Sequence, residues 1–462
     1  MTTNLEREAA VRERARKRAA SLTYSTGFGN EHSSEALAGA LPVGRNSPQL
    51  PPHGLYTELL SETAFTETRP NTRRTWMYRI RPSVVRPRQE RMDNGTLLTP
   101  PFVNTPVDPH SLYWKPRPAP AQGTDFVAGL WTLAGNGDPR TRSGMAVHLY
   151  TADVSMTDRV FSTSDGQLLI VPEQGGLLIH TELGLLGVEP GHIALIPRGM
   201  KFRVEILGTA GDETGTGFVR GYVFENFGTP FSLPELGFVG QSGMSNPRDF
   251  LAPAAAYDDS EEPVEVITKV YGDLWTSTYD HSPLDVVAWH GNSAPYVYDL
   301  RDFQVMASVN YDHRDPSLLT ALTSTTSTPG LNNIDFCAVP PEWVVTDAFR
   351  PPYYHRNVNA EFVGVIEQAQ HVTAGLGGAA ADDGYVNGIA GIVNPMNPHG
   401  PGADAWEGAT KGGLDPMKTD GLLFVVETQW PLVVTEQAAR TIGQTSDETL
   451  SGNSTLQSQF RY

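Results

Sequence analysis

Two side chains able to bind a metal ion, His355 and Glu361, lie six residues apart in the segment RPPYYHRNVNAEF. An even spacing places both on one face of a β-strand. Six residues of straight strand, however, span about 20 Å, whereas metal bonds to imidazole nitrogen and carboxylate oxygen are about 2 Å long. A shared ion therefore requires the backbone to bend between them, and the two asparagines of HRNVNAE tolerate such a bend.

A third ligand has to come from elsewhere in the chain, and His371 and His399 are the candidates. His371 follows Glu361 on the same outgoing strand, which makes it difficult for this side chain to reach back. His399 lies in the Pro/Gly-bounded turn NPMNPHGPGAD, where a strand end can present it to a site. The alternative to a metal site is an ordinary turn in which His355 and Glu361 hydrogen-bond locally.

Two histidines and one carboxylate on one face of an ion leave three coordination positions free. This ligand set suits non-haem Fe(II) that handles O2 and a chelating or phenolic substrate. Zn and Mn accept the same ligands, so the residue types alone leave the identity of the metal open.

The histidines of the first β domain are not expected to bind a metal. His148 and His180 lie in strand-like runs and are expected to pack within the protein. His192 has no partner histidine or glutamate at a suitable spacing.

The composition of the 462-residue chain predicts two or three domains, each with its own core. Its 45 glycines and 36 prolines favour short strands and turns over long helices. The net charge of −18 leaves no basic excess to neutralise phosphates, which argues against a nucleic-acid-binding protein. The single cysteine, Cys337, rules out an internal disulfide framework and is expected to be a buried small hydrophobe.

The N-terminal stretch MTTNLEREAAVRERARKRAASLTY has no apolar core of a secretory signal. Its mixture of basic and acidic residues predicts a solvated, basic helical extension over residues 1–22. No apolar run of the chain approaches the roughly 18–20 residues that a membrane span needs. We therefore expect a cytoplasmic protein.

The pattern from residue 24 onward is typical of β structure. WMYRIRPSVV alternates large apolar with basic residues, as a half-buried strand does, and many short apolar runs between Gly and Pro follow it. Such spacing indicates β-sandwich or barrel folds. We predict a first β domain over residues 23–262, a second over residues 263–440 and a polar tail over residues 441–462. The Gly/Ala-rich segment 373–391 is predicted to be a long loop.

Several long and unusual stretches resemble the homogentisate 1,2-dioxygenase family over roughly residues 24–436. They are GFGNEHSSEA, FVAGLWTLAGNGD, SDGQLLIVPEQG, NPRDFL, VVAWHGN, DHRDPS, FRPPYYHRN, EF and PHGP. The resemblance implies a mainly β fold, with an N-terminal β-sandwich domain followed by a C-terminal cupin-like jelly roll. It also implies an Fe(II)-dependent, extradiol-type dioxygenase of tyrosine and phenylalanine catabolism, assembled as a homo-hexamer. The implied reaction converts homogentisate and O2 to maleylacetoacetate.

Carried over by motif, the resemblance implies which residues do the chemistry. The iron ligands would be His355 in YYHRN, Glu361 in EF and His399 in PHGP. His290 in VVAWHGN matches the histidine that acts as the acid–base group. A neutral imidazole at that position can accept a phenolic proton.

The substrate side departs from the family pattern at two positions. The family has a substrate-binding tyrosine nine residues beyond the glutamate ligand, where this chain has Gln370, followed by His371. It also tends to carry a histidine six residues before the last ligand, where this chain has Val393. We predict substrate contacts at His399, Asn357, Gln370 and His371.

Two alternatives to this function stay open. One is the same chemistry on another hydroquinone, such as gentisate or a substituted quinol, and the departures from the family pattern motivate it. The other is a metal-binding cupin that performs no oxygen chemistry.

Overall fold

The chain folds into two compact units that alternate along its length. The computed structural model describes residues 4–44, 47–208, 217–305, 316–344, 353–369, 386–441, 444–446 and 453–461. The first unit comprises Met1–Pro101, Pro118–Ser232 and Asn246–Asp299. The second comprises Phe102–Arg117, Leu233–Ser245 and Leu300–Tyr462.

Helices are few and short within the described ranges. They are α1 (Asn4–Ala19), α2 (Gly237–Ser242), α3 (Ala403–Lys411) and α4 (Glu436–Ala439), with 3₁₀ turns at Pro52–Gly54, Pro139–Thr141, Pro247–Asp249, Leu300–Asp302, Pro316–Leu319 and Asn453–Thr455. In the part of the chain that the structure describes, no helix is both long and apolar enough to cross a membrane.

β-Strand is the main type of regular secondary structure in the described residues. Up to Asp299 the strands are β1 (Tyr24–Thr26), β2 (His32–Glu35), β3 (Tyr56–Ser61), β4 (Arg74–Arg79), β5 (Glu90–Met92), β6 (Leu112–Trp114), β7 (Leu130–Asp138), β8 (Ser143–Ala152), β9 (Arg159–Thr163), β10 (Gln167–Gln174), β11 (Gly176–Thr181), β12 (Gly184–Val188), β13 (His192–Ile196), β14 (Phe202–Gly208), β15 (Val219–Asn226), β16 (Leu251–Pro253), β17 (Val264–Val270), β18 (Asp273–Tyr279), β19 (Val286–Gly291) and β20 (Tyr296–Asp299). The later strands are β21 (Thr320–Thr325), β22 (Asn332–Val339), β23 (Trp343–Val344), β24 (Ala360–Glu367), β25 (Ala390–Val393), β26 (Met417–Lys418), β27 (Leu422–Thr428), β28 (Val433–Val434) and β29 (Gln444–Ser446). The predicted mainly β fold is confirmed.

Three sheets build the first unit. The strands that the first unit contributes to them follow the orders β1-β16-β20-β13-β10-β15-β8-β7, β12-β11-β14-β9-β17-β18-β5 and β2-β19-β4-β3. Phe126 contacts Tyr150 of the first sheet and Phe202 of the second, with ring centroids 5.0 and 6.3 Å apart. A core therefore lies between these two sheets, as in a β-sandwich.

Helix α1 packs onto the first unit, whereas the sequence predicted a solvated extension. Arg12 and Ala15 are fully buried, because the unit provides acceptors for the arginine. Arg12 donates to Glu8 Oε1 at 3.0 Å and to the carbonyl oxygen of Asp153 at 2.7 Å. Glu8 in turn accepts hydrogen bonds from the backbone N–H and the hydroxyl of Ser155. A basic helix that the sequence predicts to be solvated is thus held in the first unit by a buried ion pair.

We expect Arg12→Ala to destabilise the first unit by about 3 kcal/mol, because it leaves the Glu8 carboxylate buried without its cation. Thermal unfolding measures the effect as a lower melting temperature. Lys17→Ala is the matched control, since the pair Lys17–Glu13 has the same spacing but is largely exposed and therefore contributes little to stability. Equal melting temperatures for the two variants would contradict the anchoring role.

The second unit is built on one antiparallel sheet, in the order β21-β22-β27-β24-β25-β6-β29, with the ribbon β23-β26. Phe336, Phe424 and Phe362 stack on one face, with centroid separations of 5.3 and 6.2 Å. Because side chains alternate between the two faces of a strand, Glu361 shares the other face with Val363. An apolar cluster covers that face: Tyr113, Leu319, Cys337, Val339, Val365, Ile389, Leu423 and Val425. The sheet thus sets Glu361 at the end of an apolar surface.

The division of the chain differs from the boundaries drawn from the sequence. The last change from one unit to the other along the chain falls between Asp299 and Leu300 rather than at residues 262–263, because β17 pairs with β9 and β18 of the first unit. The predicted polar tail contributes β29, which pairs with β6. The predicted loop 373–391 lies largely outside the described residues, and its last two residues begin β25.

Candidate metal centre

The structure brings together three of the residues singled out from the sequence. His355, Glu361 and His399 each offer one ligand atom, and these atoms lie within 4.8 Å of one another. His399 Nε2 is 3.0 Å from Glu361 Oε2, and His355 Nε2 is 3.7 Å from Glu361 Oε1. Among the described residues, these three form the one group of histidine, cysteine or acidic side chains whose geometry could hold a metal ion.

A backbone bridge brings the two histidines together. The N–H of His355 donates to the carbonyl oxygen of His399 at 2.9 Å, and the N–H of His399 donates back at 3.0 Å. This antiparallel pair sets the two rings 4.2 Å apart. A glycine follows because a Cβ at Gly400 would lie 2.9 Å from a ring carbon of Tyr354. The close approach of the two segments therefore needs residue 400 to lack a side chain.

Two asparagines form the bend between His355 and Glu361. The carboxamide oxygen of Asn357 accepts from the N–H of Asn359 at 2.7 Å, and its backbone carbonyl accepts from the N–H of Met396 at 2.9 Å. Its carboxamide N–H donates to Glu361 Oε1. Asn357 thus turns the chain and orients the carboxylate of the candidate ligand Glu361, while its contact with a substrate stays a prediction.

The charge state of Glu361 suits a cation. Burial by itself raises the pKa of this carboxyl, but hydrogen bonds from His355 and His399 and their positive charge lower it to about 2. Glu361 is therefore ionised at neutral pH although only 6% of it is exposed. A buried carboxylate of this kind needs a cationic partner.

Nε2 of each histidine faces the carboxylate of Glu361. His399 Nδ1 lies 2.9 Å from the carbonyl oxygen of Asn397, which can only accept, so Nδ1 carries the proton and Nε2 remains for a ligand bond. At 3.0 Å, Nε2 and Glu361 Oε2 require a proton or a metal ion between them. Nδ1 of His355 is buried and has no hydrogen-bond partner within the described ranges. The donor set fits a divalent metal.

Two further carboxyl groups lie in the same row of the sheet. Glu427 of β27 is directly opposite Glu361 of β24, and Asp335 of β22 is directly opposite Glu427. Burial and the charge of Glu361 raise the pKa of Glu427 to about 7, and burial raises that of Asp335 to about 6. Negative charge is therefore concentrated on Glu361, the carboxylate that the histidines face.

We expect the metal-free protein to lose stability with rising pH because of Glu427. Its folded-state pKa of about 7 exceeds its ordinary value of 4.5, so the protonated folded form is favoured at low pH. That advantage is lost as the pH rises through 7. The loss amounts to up to about 3 kcal/mol.

Glu427→Gln should reduce this pH dependence to the smaller part that Asp335 contributes, because glutamine mimics the protonated acid. Melting temperatures of chelator-treated protein at pH 5 and pH 8 measure the effect. Glu436→Gln, at an exposed position, is the control and should behave like the parent. The same pH dependence in Glu427→Gln would contradict the raised pKa.

We expect Asn357→Ala to weaken metal binding by about 10- to 100-fold, because it frees the ligand carboxylate to rotate. Competition with a chromophoric chelator measures the affinity. Arg356→Ala is the control, since the neighbouring Arg356 side chain is exposed. An unchanged affinity in Asn357→Ala would show that the bend holds Glu361 without the amide.

The remaining predicted site residues lie in different parts of the chain. His290 lies on β19 of the first unit, 3.4 Å from Glu31 Oε1 through Nδ1 and 3.4 Å from the Tyr78 hydroxyl through Nε2. Gln370 and His371 fall outside the described residues. His399 belongs to the candidate metal centre.

Val393, where the family tends to carry a histidine, lies directly beside the candidate ligands. It faces Glu361 across the antiparallel pair β24–β25 and is 3% exposed. The departure from the family pattern therefore changes the immediate surroundings of a ligand.

Sequence reasoning missed several groups that support the centre. Glu427 had a signal, since it continues the phase of Leu423 and Val425 in the run LLFVVET, and an acid in an apolar phase indicates a buried carboxyl. Asn397 had no such signal, because it acts through its backbone carbonyl.

The fold and the centre together define a class of protein: a mainly β protein with a partly buried two-histidine, one-carboxylate candidate metal site. Family models agree with this class. The homogentisate 1,2-dioxygenase N-terminal model matches residues 23–300, and the C-terminal model matches residues 301–460. The chain belongs to the homogentisate 1,2-dioxygenase family, which confirms the resemblance. The junction between the two models, after residue 300, lies one residue from the structural division after Asp299.

Curated relatives support the same family. Homogentisate 1,2-dioxygenases from two strains of Pseudomonas putida are each 48% identical to the chain over 419 residues, which is 90% of this chain and 92% of the relative. An oxalate decarboxylase variant from Bacillus subtilis is 12% identical to this chain, over 77% of this chain and 83% of its own, with a TM-score of 0.29.

Proposed function

We propose that this chain is an Fe(II)-dependent homogentisate 1,2-dioxygenase, which opens the ring of homogentisate with O2 to give maleylacetoacetate. The convergence of His355, Glu361 and His399 carries the metal-dependent part of the proposal. The family membership supports the substrate and the reaction. The 48% identity to relatives of that name extends over nearly the whole chain.

The roles of the metal-site residues follow from their contacts. His355, Glu361 and His399 would hold Fe(II), and three ligands on one side leave positions for substrate and O2. Bound Fe(II) supplies the electron transfer that lets an aromatic ring react with triplet O2. Asn357 keeps the Glu361 carboxylate in one orientation. The apolar cluster lies on the sheet face that carries Glu361, so little of this carboxylate is exposed to water.

The roles proposed on the substrate side rest on the resemblance. His290 acts as the acid–base group and takes the phenolic proton of the substrate. His399, Asn357, Gln370 and His371 remain the predicted substrate contacts. The hexamer and the cytoplasmic location stay predictions as well, and analytical ultracentrifugation tests the first of them.

Oxygen uptake by the Fe(II)-loaded protein tests the proposal. We expect homogentisate to support much faster uptake than gentisate or hydroquinone. Faster uptake with gentisate would instead favour the alternative in which another hydroquinone is the substrate. The position of Val393 beside Glu361 is the observation that suggests this alternative. Stoichiometric Zn or Mn in anaerobically purified protein, with no uptake restored by Fe(II), would support a non-oxygenase.

Removal of the anionic ligand tests the metal site. We expect Glu361→Ala to weaken Fe(II) binding by more than about 100-fold and to abolish oxygen uptake, because two neutral imidazoles remain. Metal analysis and an oxygen electrode measure the two effects. Glu407→Ala, at an exposed helical position, is the control and should retain both. An active, iron-loaded Glu361→Ala variant would refute the site.

A further inference from the structure

His290 is held from both sides by residues that the family resemblance does not assign. Nδ1 is 3.4 Å from Glu31 Oε1, and Nε2 is 3.4 Å from the hydroxyl oxygen of Tyr78. The tyrosine ring also stacks on the imidazole, with an interplanar angle of 25° and centroids 6.1 Å apart. The imidazole is 16% exposed, so it lies between a buried tyrosine and a solvent-facing carboxylate.

The local fold places these partners. β19 pairs with β2 on one side and β4 on the other, setting His290 opposite Ser33 and Trp76. Glu31 comes just before β2, in the loop of the GFGNEH motif. That loop is closed by a 2.7 Å hydrogen bond between His32 Nε2 and the carbonyl oxygen of Gly27. Glu31 is therefore presented by an anchored loop beside the strand that carries His290.

The chemistry of the two partners selects one form of the neutral imidazole. A carboxylate can only accept a hydrogen bond, so the proton facing Glu31 must be on Nδ1. The lone pair is then on Nε2, where the Tyr78 hydroxyl can donate to it. Burial raises the pKa of Tyr78, so this hydroxyl keeps its proton at neutral pH. Both contacts favour the same tautomer.

We infer that Glu31 and Tyr78 are positioning residues that hold His290 as the Nδ1–H tautomer, with Nε2 as its basic atom. The inference rests on the acid–base role proposed for His290. In that role the substrate hydroxyl replaces the Tyr78 hydroxyl at Nε2, its phenolic O–H bond breaks, the proton forms an N–H bond at Nε2, and the electron pair stays on the substrate oxygen. The new Nε2–H donates to that oxygen, while Glu31 still accepts Nδ1–H. Both N–H groups of the imidazolium therefore have acceptors.

A double-mutant cycle tests whether the partners act through His290. We expect Glu31→Gln and Tyr78→Phe each to lower kcat for homogentisate by about tenfold, a part of what an acid–base group contributes, with KM changed less than about twofold. In a His290→Gln background neither change should lower kcat further, because the group they position is gone. An equal loss in that background would overturn the inference.

A second measurement reads the tautomer directly. Imidazole ¹⁵N shifts of His290, recorded on the full-length protein loaded with diamagnetic Zn(II), should show Nδ1–H in the parent and a mixture of tautomers in Glu31→Gln. An unchanged tautomer in Glu31→Gln overturns the inference. If His290→Gln keeps parental activity, the acid–base role fails, and the ¹⁵N shifts still decide whether the two residues orient the ring.

The chain contains a matched control trio. His281 Nδ1 is 2.7 Å from Asp280 Oδ1, and its ring lies 5.6 Å from that of Tyr279. Asp280→Asn and Tyr279→Phe make the same chemical changes beside a histidine with no proposed role. They should leave kcat unchanged, and a tenfold loss in either would show that the effect of the test variants is not specific to His290.

Discussion

Two backbone hydrogen bonds between His355 and His399 are the constraint on which the candidate metal centre depends. They hold two segments, more than forty residues apart in the chain, at the separation of an antiparallel pair, about 5.5 Å between Cα atoms. Without this bridge, nothing in the local sequence would bring His355 and His399 close together. The close packing of Gly400 against Tyr354 is a consequence of the same approach.

The bridge solves only half of the geometric problem, because Glu361 must also turn toward the histidines. The chain turns at Asn357, whose amide and carbonyl groups replace the hydrogen bonds that a straight strand would have made. The same residue donates to the carboxylate of Glu361. Asn357 therefore both turns the backbone and orients the carboxylate. A residue that turned the backbone without donating to Glu361 would leave the carboxylate free to rotate.

The burial of the Glu361 carboxylate makes the centre favour a cation. Glu361 lies at the end of an apolar sheet face, and the adjacent Glu427 has a pKa raised to about 7. A carboxylate in such a place is costly unless a cation is near, and here the imidazoles of His355 and His399 face it. A divalent ion satisfies the same requirement more completely, so binding a metal and stabilising the fold are coupled at this point.

The sequence by itself determined the mainly β fold, the family and the residue types of the centre, because alternating apolar runs, Gly/Pro turns and long motifs are local features. It also indicated the bend at HRNVNAE, since strand length alone forbids a straight path from His355 to Glu361. The unit boundary at Asp299, the buried Arg12 and the pairing of β29 with β6 were decided only by the tertiary structure. The contacts of His290 with Glu31 and Tyr78 belong to the same group. Each of these features depends on a partner distant in the chain. A local sequence pattern does not indicate which distant strand, carbonyl or carboxylate will lie beside a given residue.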